Sequence, residues 1–181
     1  MKLETARLVL KVPVEEDAAA IVAVASDWRV AETTLVPHPY ALSDALAWIA
    51  QAQAAWSEHG MGALAIFTRQ GQAFIGAIGL RPTTVEGHAT TGYWFCPSVW
   101  GRGFATESLR ELIRYGFEVR CLARIEANHL LENPASGRVM EKVGMGHAIQ
   151  VDLPHRDGQG GMVPGIRRCI HAGEWEALKA A

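Results

Sequence analysis

The stretch GYWFCPSVWGRGFATESL, residues 92–109, opens as a β run, passes through a glycine turn and continues as a helix. In such a junction successive backbone N–H groups converge on one concavity, and the unsatisfied first amides and positive dipole end of the helix strengthen its field. A strand, glycine turn and helix in that order are built to hold an anion such as a pyrophosphate. Gly101 and Gly103 let a ligand come close to the main chain. The hexapeptide Trp100-Gly101-Arg102-Gly103-Phe104-Ala105 taken alone is equally compatible with a plain turn. Two other phosphate motifs are excluded, because the chain has no Gly-Lys-Ser/Thr and no G-x-G-x-x-G followed by an acidic residue at the dinucleotide spacing.

Upstream of this stretch, Ala63–Thr68, Phe74–Leu80 and Ala89–Cys96 are short β-type runs separated by Gly71, Pro82 and Gly87, which predicts an antiparallel meander. Downstream, Leu109, Leu112, Ile113, Gly116 and Phe117 recur at helical spacing and Ala123–His129 reads as a strand, so the glycine turn sits inside a βαβ unit. Towards the N-terminus, Arg7–Val12 predicts a strand ended by Pro13, and Glu15–Val30 predicts one helix on Ala18, Ile21, Val22, Ala25 and Trp28. Ser43-Asp44 opens a second helix that Gly60 closes. Beyond Asn133-Pro134, the pattern predicts a two-turn helix over Ser136–Val143 and a strand over Met145–Val151. A hairpin tip over His155–Pro164, a strand over Gly165–Ala172 and a short helix over Glu174–Leu178 complete the chain. No repeat or linker interrupts it, and a single domain over residues 1–181 is expected.

The bulk properties narrow the function. A chain of 181 residues, 49% hydrophobic and 20% charged, suits a soluble globular protein with a substantial core. Seventeen basic against nineteen acidic residues, a net charge of -2, create no broad positive field for nucleic acid or an anionic membrane. Cys96, Cys121 and Cys169 are widely spaced, fitting neither a disulfide framework nor a Cys-x-x-Cys site. The N-terminus lacks a signal-peptide pattern, so the cytoplasm is the expected location. No spacing of His, Cys or carboxylates announces a metal, and none is expected.

At this point the chain resembles the GCN5-related N-acetyltransferase (GNAT) superfamily, most closely the RimJ/RimL-like branch that contains the ribosomal-protein alanine N-acetyltransferases. Gly103 and Ala105 match the Q/R-x-x-G-x-G/A turn of that superfamily, with Trp100 in place of the leading Gln or Arg. Four further blocks agree in order and spacing: LETARLVL (3–10), Gly92-Tyr93-Trp94, Arg124-Ile125-Glu126-Ala127 with Asn133-Pro134-Ala135-Ser136, and Glu141-Lys142-Val143-Gly144-Met145. The resemblance implies an α/β fold with a twisted, mixed but mostly antiparallel sheet of about six to seven strands. About four helices would flank it, and the fourth and fifth strands would splay apart. It further implies acetyl-CoA as cosubstrate and an amine acceptor, a peptide N-terminus or a small molecule such as an antibiotic, polyamine or amino acid. A homodimer is a candidate assembly, and a non-catalytic coenzyme A-binding module is the alternative to an enzyme.

By the same resemblance, residues Trp100, Gly101, Arg102, Gly103, Phe104, Ala105 and Thr106 would surround the pyrophosphate, with the amides of Arg102, Gly103, Ala105 and Thr106 as donors. Asn133 and the backbone near Phe95 would meet the pantetheine arm, as an added strand meets a sheet edge. An amine attacks a thioester only when neutral, so a base or water relay is needed, and the leaving thiolate needs a proton or hydrogen bond. Many relatives supply that last group from a Tyr after the fifth strand, but residues 133–145 contain none. Ser136 is the substitute, and a helix N-cap is its plainer role. Where relatives carry a Glu before the Gly-Tyr-Trp block this chain has Thr90, and His88, on the same strand face unless a bulge intervenes, is the candidate base. Glu107, in the first turn of its helix, reads as structural. His129 and His147 show no pairing signature. Trp28, Trp48 and Trp56 read more readily as core than as an aromatic acceptor site. The acceptor pocket is expected between the first two helices, the 36–40 loop and the 157–164 hairpin.

Overall fold

The computed structural model describes residues 1–155 and 161–180. Its centre is a sheet of eight strands among the described residues: β1 Lys2–Glu4, β2 Leu8–Lys11, β3 Ala63–Thr68, β4 Phe74–Pro82, β5 His88–Phe95, β6 Arg124–Leu130, β7 His147–Pro154 and β8 Met162–His171. They lie in the order β1-β2-β3-β4-β5-β6-β8-β7. Every neighbouring pair is antiparallel except β5 and β6, which run parallel because a helical crossover joins them. The helices are α1 Ala18–Ala25, α2 Trp28–Glu32, α3 Leu42–His59, α4 Phe104–Arg114, α5 Pro134–Lys142 and α6 Ala172–Ala180.

Alternation along the strands divides the interior between two faces. On one face Ala65, Phe74 and Trp94 pack against Ile21 and Ala25 of α1 and Ala45 and Ile49 of α3. On the other, Leu64, Ile66, Ile78, Leu80 and Ile125 meet Leu109, Leu112 and Ile113 of α4, Met140 of α5 and Trp175 of α6. Fully burying each such Leu or Ile contributes roughly 1.5–3 kcal/mol, so α4 is held mainly by its apolar stripe. Past Arg114 the helix widens into a π turn over Tyr115–Val119, and Tyr115 donates to the Gly60 carbonyl (2.8 Å), joining it to the end of α3.

Two expected elements divide. The opening strand becomes the β1–β2 hairpin because Thr5 closes a tight turn: its N–H donates to the Leu8 carbonyl and its Oγ1 accepts from the Leu8 N–H, both at 3.0 Å. The helix expected over 15–30 stops at Ser26 and restarts at Trp28, since Asp27 is extended and its carboxylate accepts from the Arg29 N–H (3.0 Å), capping α2. The described residues thus hold eight strands against the six or seven expected and six helices against about four, the divided helix accounting for one of the added helices. Of the hairpin tip expected over His155–Pro164, residues 156–160 lie outside the described ones and residues 162–164 already belong to β8.

Glu107 fastens the hairpin to α4. It accepts from the Thr5 hydroxyl (2.6 Å), the Arg7 N–H (2.9 Å) and Arg7 Nε (2.6 Å). Burial alone would raise its pKa, but these donors together pull it below the ordinary carboxylate value. A depressed carboxylate pKa stabilises the fold above the unfolded value and loses that contribution as pH falls through the folded one. Glu107→Ala is therefore expected to cost about 2 kcal/mol in urea unfolding at neutral pH, with the difference from the parent shrinking steadily below about pH 4.5. An unchanged midpoint at neutral pH would show the contacts to be without consequence.

Candidate active site

The parallel pairing of β5 with β6 runs from His88↔Arg124 to Thr91↔Ala127 and ends there. Beyond it β5 stays with β4 as far as Gly76↔Phe95, while β6 stays with β8 as far as Leu130↔Gly165. Residues 92–95 and 128–130 therefore diverge, and a cleft of about 1160 Å³ opens through the sheet between them. Cys96 N–H is directed to Ile75 on β4, so by alternation the peptide groups of Tyr93 and Phe95 face the opening. An extended amide-bearing ligand would find unpaired main-chain groups there. At Phe95 only the N–H is available, because the Trp100 indole donates to the Phe95 carbonyl (2.9 Å).

At one end of the opening, Gly101 and Gly103 both adopt left-handed backbone, with φ of 74° and 81°. Gly103 caps α4 and the first helical bond runs from Glu107 N–H to its carbonyl (3.0 Å), which leaves the amides of Gly103, Phe104, Ala105 and Thr106 grouped at the helix end. The Arg102 amide, expected among the donors, is instead turned to the Val99 carbonyl (3.4 Å). Its carbonyl accepts from Arg7 Nη1 (3.0 Å), and both the Arg7 and Arg102 guanidinium groups lie over the Phe104 ring. Arg7, Arg110 and Lys142 rim a shallow basin of about 490 Å³ beside this turn together with Glu107 and Glu111, which leaves a small excess of positive charge at the anion-facing end.

Deeper in the cleft, Asn133 rather than Ser136 caps α5: its Oδ1 accepts from the Ser136 N–H (3.2 Å), leaving its NH2 to donate elsewhere. Ser136 Oγ lies 2.9 Å from the Tyr93 hydroxyl, whose one hydrogen can go to that oxygen or to the Ser136 carbonyl (3.2 Å). Burial pushes the Tyr93 phenol up to about 12, against a smaller lowering by Ser136, so it stays protonated at physiological pH. Tyr93 went unnoticed in the sequence because the expected tyrosine belongs to α5, whereas this one reaches Ser136 of α5 from β5. Its signal was alternation: Tyr93 shares a face with Phe95, opposite to Trp94.

His129 also lines the cleft, and Nδ1 pairs with the Leu130 carbonyl (2.9 Å). A methyl group at Gly137 would come within 2.8 Å of His129 Nε2, so α5 passes directly over the imidazole. His147, which has no pairing signature in the sequence, meets Glu174 at 2.6 Å. His88 shares the face of Thr90, since the β4–β5 ladder runs unbroken from Ala89 to Phe95, but the structure does not bring it to the cleft. It stands at the strand's start opposite Arg124, about 7 Å along the chain from Thr90, which does line the cleft.

The side facing α1–α3 is bounded by Arg29, Glu32, Val36, Trp48, Arg81 and Trp94, with Leu153 and Pro164 from the β7–β8 hairpin. Of the three tryptophans considered from sequence, only Trp48 reaches it. Trp56 packs on Tyr115 and donates to the Ala63 carbonyl, and Trp28 is half-exposed beside His38. Trp94, placed edge-on to Phe74, is the aromatic wall that sequence reading missed.

Comparison with known proteins places this geometry in context. Residues 7–146 match the family described as acetyltransferase (GNAT) domain. The uncharacterized N-acetyltransferase YoaA of Bacillus subtilis (strain 168) is 32% identical over 143 residues, 78% of this chain and 81% of that one. Among solved structures, a GNAT-family acetyltransferase from Bacillus anthracis superposes with a TM-score of 0.82 at 22% identity, covering 96% of this chain and 99% of that one. The microcin C7 self immunity acetyltransferase MccE, solved with acetyl-CoA and AMP, gives 0.80 at 15% identity over 92% and 93% of the two chains.

Proposed function

Because this chain belongs to the acetyltransferase (GNAT) domain family, we propose that it is a single-domain, cytoplasmic N-acetyltransferase of the ribosomal-protein alanine N-acetyltransferase branch. Its reaction would move acetyl from acetyl-CoA to a polypeptide α-amine by direct attack in a ternary complex. The observation that carries the proposal is one cleft that joins the amide cluster of Gly103–Thr106, the divergent edges of β5 and β6, and the Tyr93–Ser136 pair.

Each part has a chemical task. The grouped amides and basic rim suit a pyrophosphate, and the Asn133 NH2 with the exposed peptide groups of β5 suits an amide-containing arm. The bound thioester supplies the activated acyl group. A β5 N–H facing the opening would donate to the carbonyl oxygen as negative charge develops there. Since the Tyr93 phenol remains protonated, it can donate to Ser136 Oγ, which frees the serine hydrogen for the departing sulfur.

The proposed α-amine acceptor rests on its low pKa, which asks little of whatever base the cleft offers, Glu32 and His129 being among its lining. His88 stands outside the cleft. A polypeptide α-amine, with a pKa near 8, is partly neutral at physiological pH without a strong base, whereas an alkylamine near 10.4 is overwhelmingly protonated. Thiol release from acetyl-CoA, followed across peptide N-termini, amino acids, polyamines and aminoglycosides, tests this. Peptides are expected to turn over fastest, with a rate that is half-maximal near pH 8 and levels off above about pH 9. Faster turnover of polyamines or aminoglycosides would replace the acceptor class, and binding of acetyl-CoA with no thiol release for any amine would make the chain a coenzyme A-binding module.

A further inference from the structure

At the edge of the sheet, His147 converges with His171 and Glu174, which lie more than twenty positions further along the chain. The β7–β8 register sets His147 opposite Cys169, and His171 follows two residues later on the same face. Glu174, in the first turn of α6, folds back so that Oε2 accepts from the His171 N–H (2.8 Å) and Oε1 meets His147 Nε2 at 2.6 Å. The two imidazoles stand edge to face with centroids 5.5 Å apart. One potential ligand atom from each of His147, His171 and Glu174 lies within 4.8 Å of the other two. None of the three lines the cleft.

A histidine–carboxylate ion pair accounts for His147 and Glu174 but gives the second imidazole no reason to share the place. We propose that His147, His171 and Glu174 form a binding site for one borderline divalent cation of the zinc type. Two imidazole nitrogens with one carboxylate oxygen suit zinc, cobalt or nickel better than magnesium or calcium, which take oxygen sets, and leave a fourth position to water.

Tetrahedral bonds of about 2.0–2.1 Å put neighbouring ligand atoms about 3.4 Å apart, so the His147–Glu174 contact must open by under 1 Å. Both side chains can move that far, being 57% and 42% exposed. The Cys169 sulfur, buried and 3.9 Å from His171 Nε2, is the nearest additional donor. Arg124 stands opposite His171 in register, but its charge is answered by Glu126 at 3.0 Å, so it does not oppose the ion alone. The three ligands come from β7, the end of β8 and α6, so an ion there would tie the outer strand to the C-terminal helix.

The test uses the full chain, freed of any affinity tag and treated with chelator, titrated with zinc chloride in a calorimeter and with cobalt chloride in a visible spectrophotometer. One saturable equivalent of zinc is expected, with proton release. Cobalt should show the absorption of a tetrahedral site. His147→Ala and His171→Ala should each weaken binding at least about tenfold, and the double variant should abolish it with unchanged circular dichroism. Equal zinc binding by the parent and the double variant, or no saturable binding by the parent, would overturn the proposal. The assay is independent of acetyl transfer, so it stands or falls apart from the function of the cleft.

Discussion

Gly103→Glu is expected to weaken acetyl-CoA binding by roughly 100-fold or more in calorimetry. A carboxylate about 4 Å from a pyrophosphate charge at an effective dielectric near 20 is opposed by about 4 kcal/mol. It would stand where the free amides of α4 converge, so it also competes for the donors the ligand needs. The position has room for a side chain: a Cβ there comes only within 3.4 Å of Arg7 Nη2, the end of a flexible group. Its φ of 81° is the separate difficulty, costing a non-glycine residue about 1–2 kcal/mol of stability. Gly103→Asn separates the two effects, because asparagine tolerates left-handed backbone and adds no charge. Asparagine should keep affinity within a few-fold while glutamate loses it. Equal affinity for parent and glutamate variant would remove the anion site from α4.

Tyr93→Phe and Ser136→Ala are each expected to lower turnover by about 100-fold while changing the acetyl-CoA Kd by less than about threefold. The two hydroxyls are 2.9 Å apart and act on one proton, so the double variant should be little worse than either single one. A loss of affinity with normal turnover at saturation would make the pair a piece of the binding wall. Tyr93 carries its own pH signature. Its phenol rises from an ordinary value of 10 to about 12 because it is buried. The folded state thus gains stability that is fully present below pH 10 and lost as pH climbs from 10 to 12. Tyr93→Phe should reduce that alkaline slope in thermal unfolding, the remainder coming from Tyr40, whose phenol burial also pushes up to about 12, while leaving the neutral region almost flat.

Much of the architecture was legible because local rules and tertiary packing agree. Residues 63–96 alternate as strands separated by turn formers, and the structure pairs them as a meander. The helix after the glycine turn carries an unambiguous apolar stripe, and the parallel crossover follows from it. Where two local preferences competed, the periodic one lost: Thr5 and Asp27 place their side-chain oxygens on nearby amides, cutting a strand and a helix that apolar spacing alone would continue. Glu107 was correctly read as structural, although its partners, Thr5 and Arg7, lie about a hundred positions away and could not be named.

By itself the sequence determined what depends on neighbours along the chain: the order of elements, the left-handed glycines before α4, the Asn133-Pro134 pair that opens α5, and thereby the family. Tertiary structure alone decided which distant groups meet. Tyr93 reaches Ser136, His88 is left outside the cleft, Trp94 rather than Trp28 or Trp56 walls it, and His147, His171 and Glu174 converge at the sheet edge. The physical reason is that strand register and helix crossing translate whole elements against one another, and a side chain's partner is set by those displacements rather than by its own spacing.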